Sequence, residues 1–251
     1  PDWLTSARRV AWQKVQAMQW PSRQEEDWMR SDLRPFKLHQ YPLPATEAPT
    51  TLEAAKIPQR LADGVEPAGV MTTLNGATIS EHLDERWAAR GVLFGDLSRL
   101  ASEHPDVVRK HLGTVAATDT DRFAALHTAM WSGGTLLYVP RGVCIEQPLR
   151  VAAGLTDGGT DTGHTLIIIE DGAEATFLYE SSSSDIGNGK GLHVGAVEII
   201  VQPGGNFRYV NLQDWGRGVW HFAHHRARLE RDANLQWTIA ALGSRFSQVS
   251  Q

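Results

Sequence analysis

Cysteine is almost missing: Cys144 is the only one in 251 residues. That excludes an intrachain disulfide framework, and it excludes a four-cysteine cluster site or a thiolate zinc centre built by this chain alone. No apolar run approaches the ~18 positions a membrane helix needs. The opening PDWLTSARRVAWQKVQAMQW carries charges where a secretory signal would carry an uninterrupted apolar block. Charge is spread out, 24 Lys plus Arg against 29 Asp plus Glu for a formal net charge of -5, so neither a basic nucleic-acid surface nor an acidic tail is indicated. GxSxG, HExxH, paired CxxC and the dinucleotide fingerprint are also missing, and SSSSDIGNGKG lacks the order of a phosphate loop and reads as a flexible loop. The expectation is a soluble, cytoplasmic protein with no membrane or nucleic-acid partner and no recognisable catalytic site.

What the chain does contain changes character along its length. Asp2 can cap a helix in which Leu4, Ala7, Ala11, Val15 and Met18 share a face, ended by Trp20-Pro21. Ser22 and Glu25 stand at capping-box spacing, predicting a second short helix. Seven of the twelve prolines lie between residues 21 and 67, which predicts an extended arm or linker. Asn75-Gly76 between two short runs predicts a hairpin, because a tight turn of type I′ needs two residues that tolerate positive φ. Pro105 can open a helix that Gly113 closes, and DRFAALHTAM places Phe123, Leu126 and Met130 on one helical face.

After residue 131 the segments TLLYV, HTLIIIE, ATFLYE, LHVGAVEIIV, NFRYVNL, VWHFAHHRARL and NLQWTIAAL read as strands. DGAEATF, PGGNFRY and RDANLQW superpose with Phe177, Tyr209 and Trp237 in register, at offsets of 32 and then 28 residues. Turn residues followed by a strand at nearly fixed intervals point to a solenoid, although a β-sandwich would give similar strands. The divisions expected are 1–69, helices and a proline-rich linker; 70–130, hairpin and short helices; and 131–251, an incomplete β-helix.

Residues that could carry chemistry are few. Cys144, in alternation with Val143 and Ile145, reads as a buried small hydrophobe in a strand. His221 and His225 fall on one strand face and His224 on the other, so the first two are the candidate metal-ligand pair, set against ordinary hydrogen-bonded histidines. His127 reads as a satisfied packing residue, and His164 and His193 mark only strand starts. Glu146, Glu170, Glu174, Glu180 and Glu198 read as solvated faces, with carboxylate-pair catalysis on a β-solenoid as the alternative.

Taken in order, PDWLTSARRVAW, WPSRQEEDWMRSDLRPF, LNGATIS, GVLFGDLSRL, HPDVVRKHLG, DRFAALHTAMWSGGTLLYVPRGVCIEQPLRV and LHVGAVEIIVQPGGNFRYVNLQDW resemble the SufB/SufD family of iron–sulfur cluster assembly proteins. GGTLLYVPRGV and VEIIVQPGGNFRYVNLQDW are the most diagnostic. The likeness is greater to SufD: SufB-like sequences carry a cysteine before the strand corresponding to LHVGAVEI, where this chain has ESSSSDIGNGKG. The resemblance implies N-terminal helices followed by a right-handed parallel β-helix, in a non-enzymatic subunit that pairs with a SufB-like protein and works with the ATPase SufC. It implies no cofactor held stably by this chain alone, with iron or an iron–sulfur cluster at the interface with SufB. Family members continue into further coils and a C-terminal helical region that meets the ATPase. The sequence stops at GSRFSQVSQ, and the expectation is a chain lacking that part. The rival readings are a β-solenoid carbohydrate-active enzyme and a SufB-type cluster scaffold.

Overall fold

The structure, a computed structural model, describes residues 2–44, 61, 64–131, 133–183 and 190–251. The middle of the proline-rich stretch and most of the SSSSDIGNGKG loop lie outside the described residues. The chain begins with helix α1 (Asp2–Ala17), which buries Leu4, Ala11 and Val15 and leaves Ala7 exposed. The Ser22–Glu25 signal gives half a capping box, with the Ser22 amide donating to Glu25 Oε1 at 2.7 Å. Beyond it the chain makes a 3-10 turn, Glu26–Trp28, rather than an α-helix, and a second one at Leu38–Gln40.

A hairpin comes next, β1 (Gly69–Leu74) and β2 (Ala77–Leu83), turned by Asn75 and Gly76 at φ 52° and 79° as the sequence requires. Helix α2 (Glu85–Ala88), strand β3 (Leu93–Asp96), helices α3 (Leu97–Glu103) and α4 (Pro105–His111), and helix α5 (Arg122–Met130) lead into the strands. Those are β4 (Gly134–Val139), β5 (Leu149–Leu155), β6 (Thr160–Asp161), β7 (His164–Ile169), β8 (Glu174–Ser183), β9 (Gly191–Val201), β10 (Asn206–Asp214), β11 (Val219–Leu229), β12 (Asn234–Gly243) and β13 (Phe246–Ser250).

The strands alternate between two sheets, so that each circuit of the chain adds one strand to each. One sheet runs β12-β10-β8-β5-β1-β2 and the other β13-β11-β9-β7-β4-β3. Apart from the antiparallel end pairs β1–β2 and β3–β4, the ladders are parallel. This is a parallel β-solenoid of about four turns. Phe177, Tyr209 and Trp237 are direct ladder partners, and the Phe177 and Tyr209 rings stack at 5.9 Å.

The two sheets differ in what covers them, and the sequence pattern reflects it. The β4 sheet is buried on both faces. Leu137, Ile167 and Ile199 point into the lumen, while Leu136, Leu166 and Ile200 pack under Leu4, Leu97, Leu100 and Val108 of the helices. Two-sided burial explains the unbroken apolar runs TLLYV and TLIII. The β5 sheet is open on much of its outer face along β10, which accordingly alternates buried residues with exposed or half-buried ones, while Ala152 and Glu180 are buried on that face nearer the hairpin. An aromatic layer of Trp28, Phe36, Phe123, Trp220 and Phe222 fastens the segment after α1 to the outer face of the β4 sheet, with Phe123 stacked on Phe222 at 3.7 Å.

The lumen ladder carries much of the core. Phe177→Ala is expected to lower unfolding free energy by about 3–5 kcal/mol, whereas Arg208→Ala on the exposed face stays within about 0.5 kcal/mol, both read from urea denaturation.

Candidate functional site

Apart from Glu180 on β8, the buried Asp, Glu and His side chains lie on the two faces of the β4 sheet. On the outer face, β9 carries Glu198 at 0% exposure. Its Oε1 accepts from the Gly113 amide at 2.7 Å, and its Oε2 accepts from those of Val115 and Ala116 at 2.9 and 3.1 Å. Gly113, at φ 73°, ends α4 and turns these amides towards the sheet. His164 Nε2 lies 3.0 Å from Glu198 Oε1, a close contact that is not aligned as a hydrogen bond.

The proton positions are set by the remaining partners. The Val194 carbonyl can only accept, so His127 Nδ1 donates to it at 2.9 Å, and His127 Nε2 must then accept from His164 Nδ1 at 3.0 Å. A carboxylate collecting three amides is held in its anionic form. Burial alone would raise the Glu198 pKa; His164 and the amides of Val115 and Gly113 outweigh it and hold the carboxyl below its ordinary value. His127 is pushed well below the usual imidazole range, by burial first and the charge of His164 second. A parallel arrangement links His224 Nε2 to Asp121 Oδ2 at 3.0 Å, while Asp121 caps α5 through the amides of Phe123 and Ala124.

The second cluster lies in the lumen, where Asp161, His193, His221 and Ser247 occupy one ladder position on successive coils. Trp215 Nε1 can only donate, and it meets His221 Nδ1 at 3.2 Å, so His193 Nδ1, 2.8 Å from the same atom, also donates to it. His221 is therefore neutral with its proton on Nε2, and burial holds the His193 pKa below its ordinary value. Gly195 makes room for this pair, since a Cβ there would sit 2.4 Å from His193 Cε1. His225, stacked on Trp237, faces a space of about 30 Å³ shared with Ser181, Asn211 and Gln213, large enough for a water molecule.

The sequence-derived candidates fare unevenly. His221 and His225 do share the lumen face, but His221 is engaged with His193 and Trp215. Among the described residues no three His, Cys, Asp or Glu side chains converge as metal ligands do. Cys144 corrects the expectation of a buried thiol: it is exposed, because Val143 and Ile145 take the lumen positions on either side of it. Glu198 and Glu180 are buried rather than solvated. With Glu198 bound by four groups, the carbohydrate-enzyme reading loses that carboxylate as a proton donor. His164, His193 and Glu198 were missed as site residues. The available signal was Glu198 itself, a lone carboxylate inside the apolar run LHVGAVEIIV.

Residues 1–151 match the SufBD protein N-terminal region, and residues 153–251 match the SUF system FeS cluster assembly, SufBD core domain. The chain belongs to the SufBD family. It is 31% identical over 181 residues to the iron-sulfur cluster assembly protein SufB of Bacillus subtilis. It is 27% and 26% identical to SufBD family proteins of Staphylococcus epidermidis and Staphylococcus aureus. Each match covers 72% of this chain and 39% of the relative, so the chain matches well under half the length of these relatives. These relatives do not separate the SufB from the SufD branch. No helix among the described residues is long and apolar enough to cross a membrane.

Two stability measurements test the clusters. Glu198→Gln replaces the anionic acceptor of three backbone amides with a neutral one and should lose about 1.5–3 kcal/mol at neutral pH. The Glu198 contribution is full above the ordinary carboxyl pKa and disappears as pH falls through the depressed folded value, so the variant should have a flatter acid limb. Burial first, then the charges of His193, His224 and Arg226, push the His225 pKa down to about 3. The unfolded chain thus takes up a proton at His225 that the folded chain refuses. Stability should drop by about 2 kcal/mol from this residue between about pH 6.5 and 5, and His225→Asn should remove that portion of the slope in urea titrations.

Proposed function

We propose that this chain is a SufD-type subunit of the SUF iron–sulfur cluster assembly complex, pairing with a SufB-like subunit and working with a SufC-like ATPase in the cytoplasm. The observation that carries the reading is the pair of family matches, which together run along nearly the whole chain on a parallel solenoid. The choice of branch rests on cysteine. The stretch between β8 and β9 holds none, and the single thiol, Cys144, stands exposed on the connection before β5, bridged to Glu174. The subunit is then non-enzymatic: cluster and iron are cargo, held at the interface with the SufB-like partner. ATP-driven closure of the ATPase pair would act on that interface and open it.

The identity with the Bacillus SufB supports a second reading, a SufB-type scaffold that carries the cluster itself. Co-expression of the full-length protein with SufB-like and SufC-like subunits, followed by size-exclusion chromatography with light scattering, should yield one complex containing all three. In anaerobic reconstitution the full-length protein alone should develop no cluster absorbance, and Cys144→Ser should leave the yield of the complex unchanged. Cluster absorbance on the protein alone would move it to the scaffold branch, and failure to join the complex would refute the subunit reading.

A further inference from the structure

Residues 21–44 cross the outer face of the β4 sheet without joining it. Only Pro21, Trp28, Ser31 and Phe36 are buried there, and Leu43 is 76% exposed. Among the described residues, every backbone hydrogen bond of the segment closes three residues back, as from Trp28 to Glu25, Ser31 to Trp28, Phe36 to Leu33 and Tyr41 to Leu38, and none reaches the solenoid. The polar links to the sheet run through one side chain, Gln248 of β13, which donates to the Asp27 carbonyl at 3.1 Å and meets Ser31 Oγ at 3.4 Å.

Ring contacts hold the segment instead. Phe36 lies 5.3 Å from both Trp220 and Phe222 and 5.7 Å from Phe123, and Trp28 lies 5.5 Å from Phe123. A few rings must therefore offset the ordering of the whole segment, a poorer balance than in the strands, where successive residues are both laddered and packed. The surroundings do not depend on it. Arg122 of α5 donates to the Met18 carbonyl at 2.8 Å and lies 4.3 Å from the Trp20 ring centroid, which keeps the end of α1 and Trp20 on α5. Beneath the segment, β11 is laddered to β9 on one side and to β13 on the other, so the sheet keeps its hydrogen bonds without it.

We propose that residues 21–44 form a strap that lifts from the folded solenoid as one unit, hinged at Trp20-Pro21, and closes again over an aromatic face. That face consists of Trp220 and Phe222 of β11, Phe246 of β13 and Phe123 of α5. A contiguous apolar area of this kind is an interaction surface when open, so the strap regulates access to it. Phe36, which touches three of the four rings, is the latch.

The test is hydrogen exchange of the full-length protein, followed by mass spectrometry of peptides from residues 21–44, β9 and β11. Both halves of the strap, around Trp28 and around Phe36, should share one protection, about 100-fold or more below that of β9 and β11. Phe36→Ala should speed exchange about tenfold or more in both halves together. Phe177→Ala, which weakens the lumen core, should speed exchange in β9 and β11 and leave the strap unchanged. Protection equal to that of the strands, or halves that exchange at unrelated rates, would overturn the proposal in the unsubstituted protein, whether or not the variants fold well. So would an effect of Phe36→Ala confined to one half, or acceleration of the strap by Phe177→Ala. None of these readouts involves the SUF partners, so the strap and the subunit assignment fail independently.

Discussion

The Glu198 carboxylate is the contact on which the relation between helices and solenoid depends. It sits on the outer face of β9 with no exposure, beside one imidazole from β7, and receives three amides from the segment after α4. Through His164 and His127 the same charge reaches α5 and the Val194 carbonyl. Hydrophobic packing of Leu97, Leu100 and Val108 would hold the helices on the sheet but tolerate sliding, because dispersion is not directional. A buried charge does not tolerate it: a shift of one residue would leave the carboxylate or its amides unmatched. Replacement of such a pair by apolar groups need not cost stability, so its value here is positional.

The lumen has its own division along the strand direction. At one end Phe177, Tyr209, Ile199 and Val201 form a dry core, and at the other the wall is His193, His221, His225, Asn211 and Gln213. Polar groups in such a place persist only when their hydrogen bonds close on one another, and Trp215 supplies the donor that fixes the first imidazole tautomer. In a family that handles iron–sulfur clusters, histidines locked in this way act first as structure. The Nδ1 atoms of His193 and His221 are engaged with each other and with Trp215.

The coil repeat was legible because stacking imposes it. Equivalent ladder positions must accept similar side chains, and the aromatic series Phe177, Tyr209 and Trp237 emerged from spacing alone. Asn75-Gly76, Pro105 and Gly113 were legible because backbone conformation restricts their alternatives. Cys144 was misread because alternation gives the period of a strand but not which phase faces inward; the neighbouring Val143 and Ile145 decided it. The histidine clusters were hidden for a different reason. His127 and His164 are 37 residues apart, and His164 and Glu198 are 34 apart, so their meeting depends on coil register, which one-dimensional periodicity does not contain. The second short helix shrank to one 3-10 turn because the aromatic anchors Trp28 and Phe36 pull that segment flat against the sheet.

The antiparallel strands β2 and β3 close both sheets at the same end, beside β1 and β4. Each interior strand pairs with one strand on the coil before it and one on the coil after it, as β9 does with β7 and β11 and β10 with β8 and β12. A stack held by neighbours in this way can nucleate at any coil and grow towards both ends. A lesion in a middle coil then interrupts growth from two sides, whereas the same lesion at β2 or β12 interrupts it at one.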